Sequence, residues 1–273
     1  MDLTGFLINN YLLTYRVSDP GELEVYYGTH QHLQRPVTVQ VIRVDDEQRD
    51  LWGAQLAAEA RFLAQVAHPN VVHVYDIGME DDGLIYVVTE EIDGQPLDQV
   101  LDGLEYLEHP HALRLTKEIG RGIAAFHRKG LLTAELDPAS VLVVSGPLVD
   151  KPDQGLAWVK LLDLGAGCEV GHPYRGELPT GEARRYLAPE AVRREPLTEA
   201  ADIYSLGILL RDLLLTGSEG AQLQSGSAVE RLVSHATARL PADRPQHITD
   251  FLDRLDTAQA NWSFGAAIQA RTR

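Results

Sequence analysis

The chain has 273 residues, 44% of them hydrophobic, which is enough to bury one large core or two lobes. Its formal charge of −16 at pH 7, from 40 acidic against 24 basic residues, argues against nucleic acid and anionic membrane surfaces as partners, because both recruit proteins through Lys and Arg. A single cysteine, Cys168, excludes a disulfide framework and points to a reducing compartment, so a cytoplasmic location is expected. The start, MDLTGFLINNYLL, carries an acid where a secretory signal needs positive charge, and no apolar run approaches the length of a membrane span.

In chain order, the first ninety residues are short β-prone runs broken by turn signals, with one helical interruption. Tyr11 to Val17, Glu24 to His30, Pro36 to Val44, Val71 to Ile77 and Leu84 to Glu90 read as strands, bounded by Asp19-Pro20-Gly21 and Asp81-Asp82-Gly83 turns. Between the third and fourth, residues 50–67 place Leu56, Leu63 and Val66 on one helical face. Beyond Asp93-Gly94 the pattern turns helical. Residues 111–129 and 200–215 read as buried helices, and 227–238 and 246–257 as amphipathic ones. The last stretch, 258–273, has weak periodicity and is expected to be a linker or surface wrap.

Two stretches organise the chain: LLTAELDPASVLV at 131–143 and WVKLLDLG at 158–165. Together they resemble the catalytic loop and the metal-binding strand-turn of eukaryotic-like protein kinases, whose loop has the pattern His-Arg-Asp-Leu-Lys-Pro-x-Asn. Thr133 to Ser140 occupy its eight positions, and only Leu136 and Pro138 match. Asp163-Leu164-Gly165, Leu187-Ala188-Pro189-Glu190, Asp202-Ile203-Tyr204-Ser205-Leu206-Gly207 and Arg244 follow in the family's order. The likeness to bacterial Ser/Thr kinases is carried best by HPNVVHVYDIG and ADIYSLGILL. It implies an α+β, bilobal kinase-like domain over residues 1–257. The small lobe, 1–92, would hold a five-stranded antiparallel sheet and one helix, and the larger, mainly helical lobe would span 93–257.

The family's chemistry does not carry over position by position. At the three glycine positions of the phosphate loop stand Ser18, Pro20 and Leu23; Pro20 has no amide hydrogen and Leu23 adds bulk. Gln40 takes the place of the phosphate-gripping lysine, and none of residues 1–116 is Lys. Glu59 matches the helix Glu that would pair with that lysine, and Thr38 crowds the adenine side. Glu135 replaces the catalytic Asp, one methylene longer. Asp137 replaces the phosphate-contacting Lys, and Ser140 the metal-ligating Asn. Asp163 remains at the metal-binding turn, giving three carboxylates where a polyanion must sit. Ala134 replaces the Arg that receives an activating phosphate. Glu190, Asp202 and Arg244 are structural positions: a buried ion pair and the anchor of the catalytic-loop backbone.

On these residues the expected protein is a pseudokinase and not an enzyme. It would bind ATP and magnesium weakly or not at all, without a metal or cofactor site, and act as a scaffold or allosteric regulator. Its partner would be a protein with a basic face, docking near residues 218–228, with no nucleic acid and no membrane insertion. The alternative is an atypical ATP-dependent Ser/Thr kinase, or a nucleotide sensor, using Glu135 and Asp163.

Overall fold

The computed structural model describes residues 2–17, 23–43, 57–58, 60–80, 83–144, 159–162, 168–217, 223 and 226–271, the stretch 261–271 by its backbone alone. Ser18, Pro20, Glu59, Asp163 and Leu164 lie outside these residues. The chain divides into two compact units, Met1–Ala67 with Val71–Asp93, and His68–Asn70 with Gly94–Arg273.

The first unit is a six-stranded antiparallel sheet ordered β1-β2-β3-β4-β6-β5. Its strands are β1 (Leu7–Ile8), β2 (Tyr11–Arg16), β3 (Leu23–His30), β4 (Arg35–Arg43), β5 (Val74–Met79) and β6 (Leu84–Glu90). The five strands expected are therefore six. The additional one, β1, pairs Ile8 with Tyr11 across a two-residue Asn9-Asn10 turn. Asn9 has a φ of 50°, a conformation that tight hairpins require and asparagine tolerates. Side-chain alternation splits the sheet between two cores. Val37, Val39 and Val41 of β4, with Leu84, Tyr86 and Val88 of β6, pack with Leu13 and Tyr26 on one face. Ile42, Ile85 and Val87 pack with Ala60 of α1, described as helical at 57–58 and 60–64, on the other. Strand β6 is buried on both faces, which explains why its sequence, LIYVVTE, is apolar nearly throughout.

The second unit is mainly helical. β7 (Gly94–Pro96), β9 (Val141–Val144) and β10 (Val159–Leu161) form one small sheet, and β8 (Leu131–Leu132) pairs with β11 (Cys168–Glu169) in another. The helices are α2 (Leu97–Asp102), α3 (His109–His127), α4 (Pro189–Val192), α5 (Glu199–Leu215), α6 (Ala228–Ala236) and α7 (Ile248–Arg271). Helix α5 is apolar around most of its circumference and is buried accordingly, with α3, α6 and α7 against it. At Gly207 a Cβ would stand 2.7 Å from that of Ala236, so the glycine lets α5 and α6 approach closely. Ser227 caps α6 by accepting from the Glu230 amide at 3.0 Å. The stretch expected as a linker continues α7 instead, and Ala258 within it is buried. His68-Pro69-Asn70 belongs to this unit because the Asn70 side chain donates to the Val159 carbonyl at 3.0 Å and to Glu118 at 3.2 Å, while its carbonyl accepts from the Leu161 amide. Among the described residues no helix is long and apolar enough to cross a membrane.

Candidate functional site

In the sheet unit, Gln40 sits mid-strand in β4, opposite Val25 and Val87. It shares the alternation of Thr38 and Ile42, so it lies on the sheet face that α1 covers and is half-buried. Its amide is neutral, so this side chain brings no charge to a phosphate. Leu23, the described member of the three loop positions, opens β3 and is exposed.

In the helical unit, β8 delivers the chain to a loop whose first half is anchored by one buried acid. Asp202, fully buried in the first turn of α5, accepts from the Thr133 amide at 2.9 Å and the Ala134 amide at 2.8 Å. It also meets His127 Nε2 at 2.7 Å. The other nitrogen of His127 stands 3.1 Å from Glu199, out of hydrogen-bonding alignment, so that contact is electrostatic only. Ala134 has a φ of 59°, and the Glu135 amide reaches back to the Thr133 carbonyl at 2.7 Å, giving a tight three-residue turn of the strained kind. A non-glycine residue in this region costs of order 1 kcal/mol or more and persists only where its surroundings over-determine it. Here two amide bonds to Asp202 do so. Thr133 is fully buried and its hydroxyl has no hydrogen-bond partner among the described residues.

The second half of the loop closes on itself. Asp137 accepts from the Ser140 amide at 2.9 Å, while the Ser140 hydroxyl accepts from the Asp137 amide at 3.1 Å and donates to its carbonyl at 2.7 Å. This capping box starts a short 3₁₀ turn, Pro138–Ser140, with proline in its first position. Burial pushes the Asp137 carboxyl up from its ordinary value; the Ser140 hydrogen bonds oppose the shift and Asp98 adds to it. Asp137 is thus tied to Ser140, while Asp163, the third carboxylate the resemblance places here, lies outside the described residues. Ser140 is likewise committed to the cap. Among the described residues there is no group of three or more His, Cys, Asp or Glu that could hold a metal. At the position of the family's metal-ligating Asn, the Ser140 hydroxyl has its proton and one lone pair engaged by the cap.

Glu135 is half-buried and lies against the segment that follows β11. A Cβ at Gly176 would come within 2.5 Å of Glu135 Oε1. Sequence reasoning passed over this segment's Tyr174, although it is the lone aromatic between Cys168 and Tyr186 and is flanked by Pro173 and Gly176. Arg194, which reaches the same turn, carried no pattern that would distinguish it from a surface charge.

The remaining framework lies in the same unit. Arg244 and Glu190 form a bidentate pair at 2.6 and 2.9 Å, both side chains buried. The guanidinium also donates to the carbonyls of Ala200 and Ala238 and lies 4.8 Å from the Tyr204 ring. Next to β8, Cys168 has its thiol pushed up to about 12 by burial, with Asp202 contributing.

The family model described as the protein kinase domain matches residues 21–256. The "Probable serine/threonine-protein kinase PknB" of Lactococcus lactis is 30% identical over 86% of this chain and 35% of its own length. The serine/threonine-protein kinase PknA of Mycobacterium tuberculosis is 26% identical over 90% of this chain and 56% of its own. The chain thus spans between a third and somewhat over half the length of these two relatives. The crystal structure of the Mycobacterium tuberculosis PknI kinase domain superposes with a TM-score of 0.70 at 22% identity, covering 93% of this chain and 98% of that one, which establishes the bilobal kinase fold. These findings overturn the expectation that the chain is not an enzyme: the family match and the relatives named as Ser/Thr-protein kinases point to a kinase. With its fold, its ordered framework residues and a family match over most of its length in agreement, the chain belongs to the protein kinase family.

Proposed function

We propose that the chain is an atypical ATP-dependent Ser/Thr protein kinase in which Glu135 stands at the base position. The observation that carries this reading is the strained turn at Thr133–Glu135, whose amides are fixed by the buried Asp202. Backbone strain that a buried acid maintains is expected where a side chain must be held for chemistry, and here that side chain is Glu135. In the transfer, the substrate hydroxyl oxygen attacks the γ-phosphorus, the bond to the β-phosphate oxygen breaks, and ADP leaves with the electron pair. Glu135 accepts the hydroxyl proton. The carboxylate needs no help from Asp137, whose hydrogen bonds serve the cap.

Gln40 brings hydrogen-bonding capacity without charge, so ATP is held weakly and its KM is high. The net charge of −16 favours a protein substrate with a basic face, with association that weakens as salt rises, and the single cysteine favours a cytoplasmic setting.

The test is transfer of radiolabelled γ-phosphate to a basic protein, with and without magnesium, by the wild type and by Glu135→Gln. Slow transfer that falls by about 10²–10⁴-fold in the variant is the expected result. A melting-temperature rise with millimolar ATP but no transfer would identify a nucleotide sensor instead. Neither binding nor transfer would overturn the reading.

A further inference from the structure

Ala134 stands where the kinase pattern has the arginine that gathers an activating phosphate, yet the segment after β11 is held in place. Its first part is tied by backbone: Cys168 and Glu169 pair with Leu132 and Leu131, the Val170 amide donates to the Gly130 carbonyl, the Gly171 amide to the Leu197 carbonyl, and the Leu197 amide to the His172 carbonyl. Its next part is tied by side chains. Tyr174 is buried among Leu132, Ala134, Leu187, Ala188 and Ala191, so the small residue at 134 makes room for the ring. The Tyr174 hydroxyl donates to the Glu177 carbonyl at 2.7 Å and closes a turn. One nitrogen of Arg194 donates to the carbonyls of Tyr174 at 2.8 Å and Gly176 at 2.7 Å, with the guanidinium 5.0 Å from the Tyr174 ring. Arg194 itself has a φ of 59°, a second strained position, set where α4 ends. The turn so fastened lies on Glu135: the place a Cβ would take at residue 176 is 2.3 Å from the Tyr174 hydroxyl and 2.5 Å from Glu135 Oε1.

We propose that the turn Tyr174–Glu177, clasped by Arg194, is the positioning element for Glu135, and that packing and an arginine keep it in place where related kinases use a phosphate. This rests on the reading of Glu135 as the base and adds how it is placed. Gly176 is then a positioning residue, since a side chain there presses on both the Tyr174 hydroxyl and the Glu135 carboxylate. Arg194 and Tyr174 act one step further out, through the turn.

The experiment uses the full chain, phosphatase-treated and untreated, with Gly176→Ala, Arg194→Ala and Tyr174→Phe. Hydrogen exchange should show the Val170, Gly171 and His172 amides equally protected with and without phosphatase. Arg194→Ala should lower that protection, at least tenfold, without changing the melting temperature, because Arg194 is exposed. Gly176→Ala should keep the protection, lower kcat on the order of a hundredfold at unchanged KM for ATP, and shift the Glu135 carboxyl carbon resonance. Tyr174→Phe keeps the ring and should move both readouts less. Protection that vanishes on phosphatase treatment overturns the proposal, as does a Gly176→Ala variant with unchanged kcat and an unmoved Glu135 resonance. A wild type without any turnover would sink the assignment of Glu135 as base. The resonance would still decide the placement: a shift in Gly176→Ala supports it, and its absence overturns it.

Discussion

The two halves of the loop at 133–140 use one device, a carboxylate receiving backbone amides, to different ends. Asp202 reaches into the first half from α5 and holds two amides of a strained turn, so the conformation of Glu135 depends on a residue 67 positions away in sequence. Asp137 receives the Ser140 amide three residues on, so the second half depends only on itself. A short-range cap can form in any sequence that offers Asp and Ser at that spacing. A long-range anchor requires the whole helical unit. The first half is thus placed by the rest of the helical unit, while in the second half Asp137 and Ser140 serve a local cap.

The comparison is broken most sharply at Asp202. Asp202→Ala removes the acceptor of two buried amides and the partner of His127, and should cost about 3–5 kcal/mol, measured by urea unfolding. Glu190→Ala serves as its counterpart elsewhere in the unit. It strands a buried Arg244 and should cost about as much, but without altering hydrogen exchange at Thr133 and Ala134. If Asp202→Ala left those two amides protected, the loop would not need its long-range anchor. A smaller effect of opposite sign is expected at Thr133→Val, which replaces a buried hydroxyl with no partner among the described residues by a methyl of similar shape. It should raise stability by about 1 kcal/mol, and a loss would mean the hydroxyl has a partner in solution.

Most of the fold was legible because its elements have clear signals. Strands β2 to β6 are β-prone runs bounded by turn signals, α3 has a strong apolar face, and α5 is apolar enough to be buried whatever its neighbours. Strand β1 was missed because two residues carry no period; its sign was the Asn9-Asn10 pair, which was not read as a hairpin turn. The end of α7 was missed because an Ala- and Gln-rich stretch, AQAN and AAIQA, favours helix by propensity without showing a face. Resemblance gave the identities at the site, Gln40, Glu135, Asp137 and Ser140, but not their contacts. The resemblance grouped Glu135 and Asp137 with Asp163; the capping box that ties Asp137 to Ser140 and the turn that sets Gly176 beside Glu135 were not legible from it. That turn depends on Arg194 carbonyl contacts, and carbonyls have no sequence signature.

The smallest effect, and the finest probe of the self-contained half, is Asp137→Asn. Asparagine keeps the acceptor for the Ser140 amide and caps about as well as aspartate, so the turn should survive. What changes is the charge. Burial is the largest influence on Asp137 and raises its folded-state value above the ordinary 3.8, despite the hydrogen bonds that pull the other way. A group with a raised folded value binds its proton more tightly when folded. Its contribution to stability is therefore fully present below pH 3.8 and is lost as pH rises through the folded value. At pH 7 the wild type carries a half-buried charge near Asp98 that the asparagine variant lacks. Asp137→Asn should then melt slightly higher than the wild type at pH 7, with the difference shrinking as pH falls toward 3.8. The opposite pattern, a variant less stable at pH 7 whose deficit disappears in acid, would mean that the Ser140 and Ala139 hydrogen bonds outweigh burial. In that case the capping box would be stabilised by the charge itself, and the two halves of the loop would be more alike than their geometry indicates.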